Sequence, residues 1–302
     1  MEGIWPWGLI LIQNIQRFQS PALDKFFILM SSLGNEFFYL SLFSLILWCL
    51  NFRLGLRVGI LFLVSVYVNI LLKLIFQTAR PFDFLPALQL VPAEGFGFPS
   101  GHAQSSLLVW FSIAYEMKSN IIWFVAFLLS LLIGISRVYL GVHFPHDVIG
   151  GWLIGLFLFY FYHYVMLPYF QIKKIKITVT NFKSKILLVS LLPLLLVIFP
   201  AEDDIIRITG VLSGLGWGFI LNNHFLPFQE VGITLGQRVL RFLIGISGII
   251  FLYFILKTIL PRADYTTYHL GQFIHYTVLG LWIGVGAPWL FQLLSLIGSN
   301  EK

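Results

Sequence analysis

Charge is scarce in this chain, and cysteine nearly absent. Asp, Glu, Lys and Arg make up 11% of the 302 residues, against about 25% in a soluble domain. Hydrophobic residues reach 58% and the mean hydropathy is +0.89, which places the chain in a bilayer. The single cysteine, Cys49, excludes an intrachain disulfide and, lying in an apolar run, carries no compartment information. No basic n-region or early A-x-A site marks a cleavable signal peptide. No Cys/His cluster or carboxylate cage has metal-ligand spacing, so neither a metal nor another cofactor is expected. The net charge of +6 is spread along the chain. It points to membrane anchoring and to no nucleic-acid partner.

What the chain does have is long apolar runs, and in lipid those must be helices. Residues 4–20 read as a short interfacial amphipathic helix. Ile4, Trp5, Leu9, Ile12 and Ile15 form one face; Gln13, Asn14 and Arg17 form another. Spans are expected at about 26–50, 58–77, 102–117, 120–140, 148–169, 186–200, 208–226, 239–260 and 274–296. The fold class is therefore all-α, a polytopic helical bundle. Its expected organisation is a membrane-embedded core over 21–170, a basic linker over 171–185 and further membrane helices over 186–302. With nine spans, Arg53, Arg57, Lys118, Arg238, Arg241 and the linker lysines 173, 174, 176, 183 and 185 share one side. The positive-inside rule makes that side cytoplasmic. Residues 78–101 and 141–147 then face the periplasm or exterior of a cell membrane.

Those two outward segments hold most of the polar chemistry. In KLIFQTARP, Lys73 and Arg80 stand seven apart at a helix end closed by Pro81. Each alone reads as a snorkelling cation; together they offer a point charge and a bidentate clamp for oxyanions. In FPSGH, Pro99 and Gly101 turn the chain into an apolar helix beginning near His102. Ser100 and the amides at that helix start suit phosphate oxygens, or simply cap the helix. In SRVYLGVHFPHD, His143 and Asp147 are four apart with Pro145 between them. A turn there lets the carboxylate reach an imidazole nitrogen and leave the other nucleophilic. Arg137 arrives from the preceding span, where charge is costly and usually functional. His146 rivals either histidine on spacing alone. Cations, a nucleophile and a proton donor are what a phosphate-ester site needs, and the surrounding membrane points to a lipid phosphate.

The combination K-x6-R-P, P-S-G-H and S-R-x5-H-x3-D resembles the signature of the type 2 phosphatidic acid phosphatase superfamily, with Ser136 among its filled positions. The resemblance covers about residues 20–170 and implies a lipid phosphatase core with a C-terminal extension. It implies that His143 attacks phosphorus, Asp147 orients His143, and His102 is the general acid and base. Lys73, Arg80, Ser100, Gly101 and Arg137 would bind the phosphoryl oxygens, without metal. Expected substrates are an isoprenoid diphosphate, phosphatidylglycerol phosphate, phosphatidate or a sphingoid phosphate. Two alternatives stand beside hydrolysis: phosphotransfer to another lipid or sugar, and phospholipid binding or transport without catalysis.

Outside the motifs, Gly210, Gly214 and Gly218 form a small-xxx-small face for helix packing. Asp203 and Asp204 are expected in a solvated loop, and Asn222, Asn223 and His224 at a helix cap. His163 reads as a satisfied membrane histidine; His269 and His275 read as structural or interfacial.

Overall fold

The computed structural model describes residues 4–172, 182–197, 202–226, 234–260 and 265–296. Their regular elements are all helices, with no strand among them. The linker lysines 173, 174 and 176 lie outside the described residues.

The chain divides into two compact units. Unit one comprises residues 1–40 and 64–173. It contains α1 (Ile4–Gln16), α2 (Pro21–Ser32), most of α4 (Phe52–Phe76), α5 (Pro81–Phe84), α6 (Gly101–Met117), α7 (Asn120–Tyr139), α8 (Pro145–Tyr160) and α9 (Leu167–Ile172). Ser20 caps α2, its Oγ accepting from Leu23 N, and Pro21 takes the N1 position where no N–H is needed. The expected span over 26–50 is broken: α2 and the following helix, α3 (Glu36–Leu45, with a π turn over Ile46–Leu50), are bent by 54°. The interruption falls on Leu33–Gly34–Asn35, where Gly34 N and Asn35 N donate to Ser31 O and Ser32 O. Gly34 suits the break because a Cβ there would lie 2.6 Å from the His102 ring.

α6 and α8 approach closely because α8 carries glycine on the contact face. A Cβ at Gly151 or Gly155 would stand 2.5 Å from Ser100 O or Gln104 O. Gly141, between α7 and α8, has φ +69°, and a Cβ there would meet Leu88 O at 1.9 Å. Only glycine fits both demands. α1 is more embedded than an interfacial helix. Ile12 is fully buried with Phe144, Val148 and Ala103, and Gln16 Nε2 donates to Leu88 O and Tyr139 O. Trp7 and Ile10 stay exposed on the opposite side.

Unit two comprises residues 41–63 and 174–302. Its helices are the rest of α3 and α4, α10 (Phe182–Val197), α11 (Asp203–Phe225), α12 (Leu235–Ile259), α13 (Tyr265–Leu281, then a π turn) and α14 (Ala287–Leu293). The 41–63 segment, grouped with the core from sequence, joins this unit through buried polar contacts. Trp48 Nε1 donates to Ile283 O, Cys49 Sγ to Arg238 O, and Arg241 to Trp48 O and Leu296 O. The Gly210–Gly214–Gly218 face packs on α13 and its π turn, with Gly214 positioned so that a Cβ would lie 2.0 Å from Thr277 O. Asp203 and Asp204 belong to the first turn of α11, which starts earlier than expected, where acidic side chains favour the helix dipole. Asn222 and His224 sit in its last turn, with Leu226 N donating to Asn222 O.

Among the described residues, six helices are long and apolar enough to cross a membrane, seven if the bent pair is one span. The remaining two expected spans are the 17-residue α6 and the 16-residue α10. The chain is an all-helical, multi-pass membrane protein.

Candidate active site

Every candidate site residue lies in unit one. α4 ends near Lys73, and Arg80 caps the entry to α5, its N–H donating to Asp83 Oδ2 at 2.7 Å. α6 starts at Gly101 with Ser100 as its N-cap residue. α7 ends with Arg137, and the turn enforced by Gly141 leads to His143 and to α8, which Pro145 opens.

The Asp147 carboxylate reaches back over the first turn of α8. Its Oδ2 accepts from Phe144 N at 2.9 Å and lies 3.3 Å from His143 Nδ1. The other face of the imidazole, Nε2, is 3.3 Å from Arg80 Nη1. A guanidinium only donates. Nε2 must therefore hold a lone pair, and the ring proton sits on Nδ1 facing Asp147. His143 is 2% exposed and lies in the 140–144 connection between helices. Burial first, then the charges of Arg80, Arg137 and Lys73 and the neighbouring His102, hold its imidazole well below its ordinary pKa. The ring thus stays neutral into mildly acidic solution. His146 is turned elsewhere: Nε2 stands 3.3 Å from Asp147 Oδ1 and its ring stacks on Phe144.

The cations differ in how they are held. Arg80 is 4% exposed, with Nε donating to Gly95 O, Nη1 to Val142 O and Nη2 to Glu94 O, at 2.7, 2.8 and 2.7 Å. Lys73 Nζ donates to Phe96 O at 2.9 Å. These two residues staple the 94–96 backbone to the site. Arg137 Nη1 donates to Ser31 Oγ, while its Nε is buried without a hydrogen-bond partner. Ser100 N donates to Asp147 O at 3.0 Å, and its Oγ is buried and unpartnered. Gly101 sits against Asn69, whose Nδ2 donates to Pro99 O and Gln104 Oε1.

Two residues escaped the reading of the sequence. Asn35 Oδ1 lies 2.8 Å from His102 Nε2, and Ser31 holds Arg137. Both flank the break between α2 and α3. The signal was present as the polar string SSLGNE inside an apolar run. His163, 2% exposed, has Nε2 3.1 Å from Ser112 Oγ. Among the described residues no group of three or more His, Cys, Asp or Glu is placed to hold a metal ion.

Known proteins share this arrangement of sequence. Residues 54–170 match the model of the PAP2 superfamily, and residues 206–301 that of the PAP2 superfamily phosphatase, transmembrane extension. Phosphatidylglycerophosphatase B of Bacillus subtilis (strain 168) is 38% identical over 115 residues, 35% of this chain and 55% of that protein. An undecaprenyl-diphosphatase of Sulfolobus acidocaldarius is 30% identical over 150 residues, 48% of this chain and 71% of that protein. A crystal structure of a transmembrane PAP2-type phosphatidylglycerolphosphate phosphatase from Bacillus subtilis is 28% identical, with a TM-score of 0.49, over 58% of this chain and 89% of that one. The chain spans about half the length of most of the curated relatives it matches. With one segment matching the superfamily and a second its transmembrane extension, this chain belongs to the PAP2 superfamily.

Proposed function

We propose that this protein is an integral-membrane phosphatase that removes phosphate from a lipid phosphomonoester or diphosphate through a phosphohistidine. The observation that carries the reading is the placement of His143, with Nδ1 3.3 Å from Asp147 Oδ2 and Nε2 3.3 Å from Arg80 Nη1. In the first step Nε2 bonds to phosphorus as the bond from phosphorus to the leaving oxygen breaks. The leaving oxygen keeps the electron pair and takes a proton from His102. In the second step His102 deprotonates a water that attacks phosphorus, the P–N bond breaks, and His143 is restored with release of phosphate. Arg137 Nε and Ser100 Oγ, buried and unpartnered, supply donors to the phosphoryl oxygens; Lys73 and Arg80 add positive charge. Asp147 keeps Nδ1–H in place and offsets the charge that forms on the ring.

A phosphate-release panel in detergent tests this. It should include phosphatidylglycerol phosphate, an isoprenoid diphosphate, phosphatidate and a sphingoid phosphate. At least one is expected to release phosphate, with EDTA leaving the rate largely intact and vanadate inhibiting, because the site's cations are side chains. No release from any of them, or a strict Mg²⁺ requirement of the protein itself, would overturn the proposal.

Asn35 gives a sharper prediction. Its carbonyl oxygen accepts from His102 Nε2–H and so favours the proton-bearing ring that a general acid needs. Removing a hydrogen bond to a charged group costs about 1.5–3 kcal/mol, so Asn35→Ala should lower kcat on a lipid substrate about tenfold or more. Asn35→Asp, which keeps an acceptor, should recover much of that. A p-nitrophenyl ester, whose leaving group needs little protonation, should lose far less. Equal losses on both substrates would assign Asn35 a purely structural role.

The same proposal puts the site at the outer face of the cell membrane, with the linker lysines inside. Cysteines introduced at Gln89 and Lys174 in a Cys49→Ser background test it in intact cells. An impermeant thiol reagent should label position 89 and spare 174; the reverse pattern would invert the topology.

A further inference from the structure

Unit two holds a cavity of about 230 Å³ among α11, α12 and α13. Its wall is unusual for membrane helices. Arg207 and Lys257 bring two cations, Tyr253, Tyr268 and Tyr276 three phenols, Gln272 an amide and His275 an imidazole. Among the described residues no carboxylate lines it. These groups stand at helix ends, Arg207 in the second turn of α11, Lys257 in the last turn of α12 and Tyr268 in the first turn of α13, where cations of membrane helices reach the headgroup level.

The surroundings hold these groups in place. Asp203 and Asp204 sit outside the lining and approach the Nη atoms of Arg207 at 3.6 and 3.1 Å. Asp203 also accepts from Tyr268 Oη at 2.9 Å and lies 3.2 Å from His269 Nε2. Gln272 Nε2 donates to Tyr268 Oη at 2.9 Å. The Arg207 guanidinium lies over the Tyr276 ring and the Lys257 ammonium over the Tyr253 ring, at 6.0 and 5.8 Å from the centroids. Arg207 Nε remains buried without a hydrogen-bond partner. The free edge of a guanidinium fixed by carboxylates, a nearby ammonium, the Tyr253 hydroxyl and the second N–H of the Gln272 amide present a donor-rich recess. Such a set matches an oxyanion. At about 30 Å³ per water, the cavity holds roughly eight waters' worth of volume, enough for a phosphate group but not an acyl chain.

We propose that this recess is a second phosphate-binding site, separate from the His143 centre and carried by the transmembrane extension. It takes the phosphate of a membrane-lipid headgroup or free phosphate, held by Arg207 and Lys257. The motifs of unit one contribute no residue to it.

Equilibrium dialysis of the full-length protein in detergent with ³²P-orthophosphate tests the site. Saturable binding at millimolar phosphate should be reduced by Lys257→Gln, with affinity at this site about tenfold or more weaker, the value expected for one charge-assisted contact. Lys257→Arg should retain it, and Arg207→Gln should act like Lys257→Gln. Lys73→Gln removes a cation from unit one and should leave the Lys257-dependent component unchanged, so failure of the catalytic reading and failure of this one are told apart. Unchanged thermal unfolding of Lys257→Gln certifies the fold. A second arm reconstitutes the protein in phosphatidylcholine nanodiscs with or without phosphatidylglycerol. Displacement of ³²P-phosphate by phosphatidylglycerol identifies a headgroup site, and no displacement identifies a site for free phosphate. Binding that is unaffected by both Lys257→Gln and Arg207→Gln, or no saturable binding beyond the part removed by Lys73→Gln, overturns the proposal.

Discussion

Replacing His143 with alanine should abolish phosphoenzyme formation with every substrate and lower turnover on the order of 10⁴-fold or more, as losing a nucleophile does elsewhere. The side chain is 2% exposed and its two nitrogens are both engaged, by Asp147 and Arg80. The adjacent imidazole, His146, is turned toward the other oxygen of Asp147. Rapid quench with labelled substrate, followed by peptide mapping, reads the result. Acid-labile label is expected on the peptide containing His143 in the wild type and on nothing in the variant. Label on His146 or His102, or label persisting in His143→Ala, would show that another residue attacks. Asp147→Asn serves as the graded companion: the ring loses its orienting anion but keeps its nitrogen, so label should still form, slowly.

The second large effect separates the two histidines by leaving group. His102→Ala removes the proposed proton donor and leaves the attacker in place. General acid catalysis typically contributes ~10²–10⁴-fold. A lipid alkoxide needs that proton, whereas p-nitrophenolate leaves almost unaided. Phosphohistidine formation in His102→Ala should therefore fall by about that factor with the lipid and much less with the aryl ester. Hydrolysis of the phosphohistidine should slow for both, since the proposal gives the same ring the task of activating water. A loss of equal size on both substrates in the first step would mean that His102 supports the site without transferring a proton.

How far the sequence carried the structure depended on whether a feature was local. The turn at Pro99–Gly101 and the His143–Asp147 pair each occupy a few consecutive residues and stand where the spacing placed them, whereas Pro145, read as part of a turn, opens α8 three residues before the expected span. The glycine face of α11 also read correctly, since small residues at i and i+4 fall on one side of a helix. What escaped depended on partners distant in sequence. Asn35 and Ser31 lie outside residues 54–170, and nothing in an apolar run of 25 residues announces a 54° bend except Gly34 and its polar neighbours. The embedding of α1 was hidden for a different reason. An amphipathic face looks the same whether lipid headgroups or the Phe144 cluster cover it. The grip on Arg80 was invisible because its acceptors are backbone carbonyls, which every sequence possesses.

That grip has a kinetic meaning. Glu94, Gly95 and Phe96 present three consecutive carbonyl oxygens to Arg80 and Lys73. On the proposed function they would be an internal competitor, seated on the donors that a phosphoryl dianion would draw. A phosphoryl group that recruits these cations exchanges a neutral acceptor for a charged one, so its net gain is a difference between two hydrogen bonds and not the whole of one. Tight-binding phosphate would stall a hydrolase that must release it each cycle. On the proposed function, a resident peptide loop that reclaims the cations would let the product go.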